Sequence, residues 1–184
     1  YKRDETFDHW SAEPFRGLKR DIYEGGHHVP FIIKWPGVTK AGSTCNKLVS
    51  QIDFMSTIAS SLGYELPDNA AEDSHDILPL LHGRKKTLRT AHVHNTRAEA
   101  WAIRVGEWNL IAGKSGYHSG RRKPWEEKRN YPADDDDSVE LYHYAKDISQ
   151  RNNLAKKFPE KVDELQKELK NARECGFTAP RLLK

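Results

Sequence analysis

A short apolar run, Val29-Pro30-Phe31-Ile32-Ile33-Lys34-Trp35, stands between the turn signals Gly25-Gly26 and Pro36-Gly37. A run of this length between chain breakers reads as a strand covered on both faces, as in a parallel sheet flanked by helices. Pro30 is tolerable near the start of such a strand. A helix follows, because Ile52, Met55, Ile58, Ala59 and Leu62 recur at spacings of three and four. Ser50 with Asp53 forms an N-terminal capping pair, and Gly63 stands where a C-terminal cap belongs. Strand then helix is half of an α/β unit, with Ile77-Leu78-Pro79-Leu80-Leu81 packing after it. Residues 1–20 precede these elements as an ordered polar and aromatic loop.

Beyond the basic stretch from Gly83 to Lys86 the period changes to two. Short strands are expected at His92 to Asn95, Ala100 to Val105 and Glu107 to Ala112, with Gly106 as a turn, and a further one at Glu140 to Tyr144. Trp101, Ile103 and Val105 alternate with Ala102 and Arg104, the pattern of a half-buried antiparallel strand. Pro159 suits the first position of a closing helix striped by Val162, Leu165, Leu169 and Ala172 and ended by Gly176. The expectation is an α/β part over residues 1–86, then a subdomain over 87–184 with an antiparallel sheet and a packed helix.

Composition excludes several classes. The 184 residues carry a formal charge of +3 from near-balanced acids and bases, without the concentrated basic stripe that nucleic acid requires. No apolar run approaches the roughly 20 residues of a membrane helix. Cys45 and Cys175 are distant and show no metal-type spacing; whether they pair is left open by the sequence. Four consecutive acids, Asp134 to Asp137, lack the spaced ligands and glycine of a calcium loop and read as solvated.

The segment Arg16-Gly17-Leu18-Lys19-Arg20-Asp21-Ile22-Tyr23-Glu24-Gly25-Gly26-His27-His28-Val29-Pro30 resembles a signature of the type I sulfatases: Arg-Gly, a lysine, then Glu-Gly-Gly, a basic residue and Val-Pro. Trp35-Pro36-Gly37, Val49 to Thr57, Asp73-Ser74 and Pro79-Leu80-Leu81-His82-Gly83 continue the resemblance. So do Ala102 to Ile111, Glu140-Leu141-Tyr142, Lys146-Asp147 and Asn152-Asn153-Leu154-Ala155. Landmarks in one order over nearly the whole chain make the resemblance specific. It implies the end of an alkaline-phosphatase-like α/β domain followed by the small C-terminal subdomain.

The resemblance further implies a formylglycine nucleophile, made from Cys or Ser in a Cys/Ser-x-Pro/Ala-x-Arg context, and a calcium ion held by carboxylates. Neither Cys45 nor Cys175 has that context, and no Asp-Asn-Gly ligand segment occurs. Nucleophile and metal ligands are therefore expected upstream, in an N-terminal half of the parent protein, with none of the metal ligands in this chain and no activity in the chain alone. The implied partner is a sulfated small molecule or carbohydrate, and the implied location is periplasmic or secreted.

Lys19 is the expected sulfate-binding residue, since an ammonium is a compact point charge suited to the negative charge that grows as a sulfate ester cleaves. His9, ten positions earlier, is a candidate donor or general acid to the leaving group, and His94 a candidate substrate contact. Glu24 is expected to orient its neighbours through hydrogen bonds. Gly25 and Gly26 are expected to allow close backbone packing, and His27 and His28 to be structural. Trp10, Trp101 and Trp108 read as packing residues rather than sugar platforms. Two alternatives stand beside a sulfatase: a phosphonate or phosphate monoester hydrolase on the same scaffold, and a non-catalytic binding module of sulfatase-like fold.

Overall fold

The computed structural model describes residues 10–84, 89–97, 99–113, 115–120, 122–133 and 139–182. His9 and the acidic run Asp134 to Asp137 lie outside these residues. The chain divides into two compact units by contact rather than by chain order. The first joins the described part of Tyr1–Val29 to Val93–Leu169, and the second joins Pro30–His92 to Lys170–Lys184.

The first unit is built on a four-stranded sheet in the order β1 (Ala91–Arg97), β2 (Ala100–Val105), β3 (Trp108–Ala112), β4 (Val139–His143). The register is antiparallel, with Ala102 opposite Ile111 and Ile111 opposite Glu140. Gly106 takes a positive φ of 56° in the tight β2–β3 turn, which explains a glycine there. One sheet face carries Ala100, Ala102, Ile111 and Tyr142, which pack in a buried core with Ile22, Tyr23 and Tyr117. The other buries Ile103, Leu110 and Leu141. Helix α3 (Pro159–Cys175) packs beside this sheet and buries Leu165 and Leu169, the centre of its expected stripe; Gly176 follows at φ 73°.

The strand expectation for β2 needs one correction. Alternation predicts Ala102 on the open face, yet Ala100 and Ala102 are both fully buried. Small side chains there let the segment around Tyr23 approach the sheet, so both faces are covered at its centre.

The second unit contains Gln51–Asp53 as a single 3₁₀ turn, α1 (Phe54–Ser61) and α2 (Leu78–Leu81). The Ser50 N–H donates to the Asp53 carboxylate at 2.8 Å, and Gly63 adopts φ 65° after the last turn, so both expected caps are present. The buried side of this helix is polar, however. Asp53, Ser56 and Thr57 point inward, while Ile52, Met55, Ile58 and Leu62 are exposed. The polar side is fully engaged: Asp53 meets Arg89 and accepts from the His75 N–H, Thr57 Oγ1 accepts from the Ile77 N–H, and Ser56 donates to Ser74 twice, through its N–H to the hydroxyl and through its hydroxyl to the carbonyl.

The run 29–35 is likewise not in a strand ladder among the described residues, and Ile32 is 90% exposed. A strand needs a neighbour for its N–H and C=O groups, and the sheet of the first unit is complete without this run. Phe31 and Ile32 of this run, with Ile52, Met55, Ile58 and Leu62 of the helical stripe, are therefore exposed apolar side chains of this unit, while Ala59 of the stripe is buried.

Candidate functional site

The segment 16–28 is a compact loop of the first unit, and its shape follows from three residue types. Asp21 folds it back on itself, since its N–H donates to the Leu18 carbonyl at 2.8 Å and its Oδ2 accepts from the Leu18 N–H at 2.9 Å. Arg20 takes φ 83°, a sterically uncommon conformation for a residue with a Cβ. Gly25 and Gly26 meet the returning backbone so closely that no side chain fits. A Cβ on Gly25 would lie 2.4 Å from the Gly17 carbonyl oxygen, and one on Gly26 would lie 1.8 Å from that of Asp21. The close packing expected of the Glu-Gly-Gly segment is present. Lys19 sits exposed in this turn, next to Leu18.

Arg16, 2% exposed, anchors the loop. Its Nε donates to the Tyr117 hydroxyl at 2.9 Å, and its Nη1 to the Tyr142 hydroxyl at 3.0 Å and the Gln150 carbonyl at 3.1 Å. The guanidinium carbon also lies 4.0 Å above the Tyr23 ring. Tyr23 and Tyr142 in turn donate to the Glu140 carboxylate, and Tyr117 donates to Glu126 at 3.0 Å. Burial works against the charge of Arg16, but Tyr23, Tyr142, Tyr117 and Glu140 outweigh it and hold the guanidinium more firmly protonated. Burial pushes all three hydroxyls up, so they remain donors. Gln150 ties down both ends of the segment, accepting from Arg16 through its carbonyl and from the Glu24 N–H at 2.8 Å through Oε1.

Glu24 is buried at a second junction. Its Oε1 meets His28 Nδ1 at 2.7 Å and Arg104 Nη1 at 3.8 Å. Burial alone raises this carboxyl, but the His28 bond and the charges of His27, Arg104 and His28 overcome it and set the group below its ordinary 4.5. Arg104 also lies 3.9 Å over the Tyr144 ring, and burial beside Glu24 pushes the Tyr144 hydroxyl up to about 12. His28 stacks on Phe15 with centroids 4.1 Å apart, an arrangement that serves packing.

His94 comes from β1. Its ring centroid is 3.9 Å from that of His27, and Nε2 meets the Ile22 carbonyl at 3.2 Å. A carbonyl only accepts, so Nε2 carries the hydrogen. Burial lowers the His94 pKa below 6.5, the Ile22 bond and Glu24 opposing this only in part. The structure thus brings Lys19, Glu24 and His94 onto one loop-and-strand assembly. Trp10 packs edge-on to Tyr131 with centroids 5.2 Å apart, and Trp108 against Phe158 at 5.4 Å, both as packing residues.

The residues not singled out from the sequence are Arg16, Asp21, Tyr117, Glu140, Tyr142 and Gln150. Glu140 and Tyr142 alternate on one face of β4, a signal in the sequence, but their partner is 126 positions from Tyr142 and gives no local pattern. Among the described residues no group of three His, Cys, Asp or Glu side chains could hold a metal ion, so calcium finds no fitting site in them. Cys45 and Cys175 are both free and exposed. No helix among the described residues is long and apolar enough to cross a membrane.

Residues 17–111 match the family described as N-sulphoglucosamine sulphohydrolase, C-terminal. An N-acetylgalactosamine-6-O-sulfatase of Bacteroides thetaiotaomicron is 31% identical over 175 residues, covering 93% of this chain and 33% of the relative. Arylsulfatase K of Danio rerio is 26% identical over 179 residues, covering 90% and 30%. A structure solved in work on glycosaminoglycan metabolism by Bacteroides thetaiotaomicron superposes with a TM-score of 0.72 at 32% identity, covering 87% of this chain and 32% of its own. The chain thus spans about a third of the length of these relatives. With the family model matching more than half of its residues and the ordered landmarks standing on one folded loop and sheet, the chain belongs to the sulfatases, to whose C-terminal region it corresponds.

Proposed function

We propose that the protein carrying this chain hydrolyses sulfate esters of carbohydrates, with Lys19 binding the sulfate. The observation that carries this reading is an exposed ammonium on a turn whose backbone is fixed by Asp21, by two glycines without room for a Cβ, and by buried Arg16. A fixed cation needs no reorganisation when charge develops on a sulfate, which is the condition for strong electrostatic catalysis. Glu24 holds His28 and Arg104 in place behind the loop, and His94 lines the sugar side, with His9 as a further contact to the leaving group. Carbohydrate is favoured as the substrate class because the Bacteroides relative is named for a sulfated amino sugar.

The nucleophile is proposed to be a formylglycine, and the cation calcium, both on other parts of the parent. Neither cysteine here has a Cys-x-Pro-x-Arg context, and the described residues offer no metal cluster. Bound there, they would supply the attacking oxygen and neutralise sulfate charge. This chain alone is then inactive, and the parent works in the periplasm or outside the cell. The test is turnover by the purified parent of an aryl sulfate, the matching aryl phosphate and a set of sulfated monosaccharides. The sulfates should be hydrolysed and the phosphate poorly. A preference for phosphate, or turnover by this chain alone, overturns the reading.

A further inference from the structure

One carboxylate fixes two loops that are distant in sequence. Asp21 Oδ2 accepts the Leu18 N–H at 2.9 Å, and its Oδ1 accepts the His118 N–H at 2.9 Å. Lys19 adjoins Leu18, so Lys19 and His118 flank the same side chain. The loop holding His118 is seated firmly as well. The Ile22 N–H donates to the Gly116 carbonyl at 2.6 Å, and a Cβ on Gly116 would lie 2.5 Å from the Tyr23 ring. His118 itself is exposed.

Thr96 favours one tautomer of His118. The Thr96 hydroxyl donates its one hydrogen to the Arg20 carbonyl. With that hydrogen committed, Thr96 Oγ1 is placed to accept from His118 Nδ1–H across their 3.4 Å contact. In the neutral ring Nε2 is then left with a lone pair, an acceptor on an exposed edge. A sulfate group carries only acceptors and cannot use that lone pair. A sugar hydroxyl can.

We propose that His118 is a substrate-binding residue of the Lys19 site, accepting a hydrogen bond through Nε2 from a hydroxyl of the sugar that bears the sulfate. This rests on the carbohydrate sulfatase reading above and adds a specificity contact to it: Lys19 takes the anion and His118 the sugar. Thr96, held between Arg20 and His118, is the positioning residue that sets the tautomer.

The experiment compares the parent enzyme with its His118→Ala, His118→Gln, Thr96→Val and Lys19→Ala variants. The probes are 4-nitrophenyl sulfate, which has no hydroxyl, and the best-hydrolysed sulfated monosaccharide of the set above. His118→Ala keeps the backbone N–H bound to Asp21, so its melting temperature should match the wild type. Its kcat/KM on the sugar should fall about tenfold more than on the aryl sulfate, mostly through KM, as for loss of one hydrogen bond at a paired hydroxyl. His118→Gln, which restores an acceptor, should recover part of that loss, and Thr96→Val should raise KM for the sugar. Equal losses on both probes, or none, overturn the assignment of His118 while the sulfatase reading stands, provided that Lys19→Ala sharply lowers turnover of both. If Lys19→Ala leaves turnover intact, the Lys19 site fails and the His118 contact fails with it; if no sulfate ester is hydrolysed, the sulfatase reading itself fails.

Discussion

The Nη1 of Arg16 donates to the hydroxyl of Tyr142 across 3.0 Å, joining the loop of Lys19 to strand β4. Both side chains are buried, and Tyr142 passes the connection on to Glu140. Removing that hydroxyl leaves an Arg16 donor and a Glu140 acceptor short of a partner in a site without water access. Tyr142→Phe should therefore cost about 1–3 kcal/mol in unfolding free energy. Arg16→Met should cost more, about 3–5 kcal/mol, because it removes the cation that faces the Glu140 charge and leaves that charge against Tyr23 and Tyr142. Urea denaturation of the chain measures both, and an Arg16→Met variant as stable as wild type would refute the anchoring role.

Gly26 gives a sharper steric prediction, since its difficulty is space rather than dihedral angle. The 1.8 Å between a Cβ there and the Asp21 carbonyl oxygen can widen to a normal contact only if the Lys19 turn moves. Gly26→Ala should thus cost at or above the roughly 1–3 kcal/mol of ordinary overpacking, because backbone cannot rotate aside as a side chain does. Gly42, with nothing within 4 Å of its Cβ position, is the control, losing only what its φ of 71° demands. Thermal melting of the two variants should rank them Gly42→Ala above Gly26→Ala.

These two anchors show what the sequence could and could not reveal. Local signals were legible: the Ser50–Asp53 cap, the period-two strands, the Leu165–Leu169 stripe and the glycine pair each depend on residues a few positions apart. The Arg16 cluster was not, because its members at 16, 117, 142 and 150 meet only through the fold. The polar inward side of α1 was missed for a different reason. Periodicity finds an apolar stripe but not which side is covered, and here Asp53 and Thr57 are buried because Arg89, His75 and Ile77 supply partners.

Glu24 sets an acid limit on the loop. Its folded-state pKa lies below 4.5, because the His28 bond and the charges of His27 and Arg104 overcome the burial that would raise it. A carboxyl lowered on folding contributes stability that is fully present above its unfolded pKa and is lost as pH falls through the folded value. Asp21 and Glu126 shift upward through burial, so their effect with pH has the opposite sign. Glu24→Gln should therefore flatten the acid limb of the stability profile below about pH 4.5 and lower stability at neutral pH. Urea midpoints of wild type and Glu24→Gln across that range test it, and an acid limb that is unchanged in Glu24→Gln removes Glu24 from the account.

Lys19 is where the stability of the loop and its proposed chemistry separate. Arg16, Asp21 and the glycines are buried or enclosed, so changing them perturbs folding and activity together. The exposed ammonium of Lys19 is different, and its removal should alter stability by no more than about 0.5 kcal/mol. If it faces the sulfate, its loss should still reduce kcat/KM on an aryl sulfate by about 10²–10³, the usual cost of one preorganised charge contact at the reacting group. Lys19→Arg should recover little, because the planar guanidinium is broader than an ammonium and the turn that carries it is held too tightly to adjust. The assay uses the parent enzyme, with thermal melting alongside to separate folding from function. A Lys19→Ala variant with unchanged melting and near-wild-type kcat/KM would place the sulfate elsewhere and leave the loop as scaffold alone.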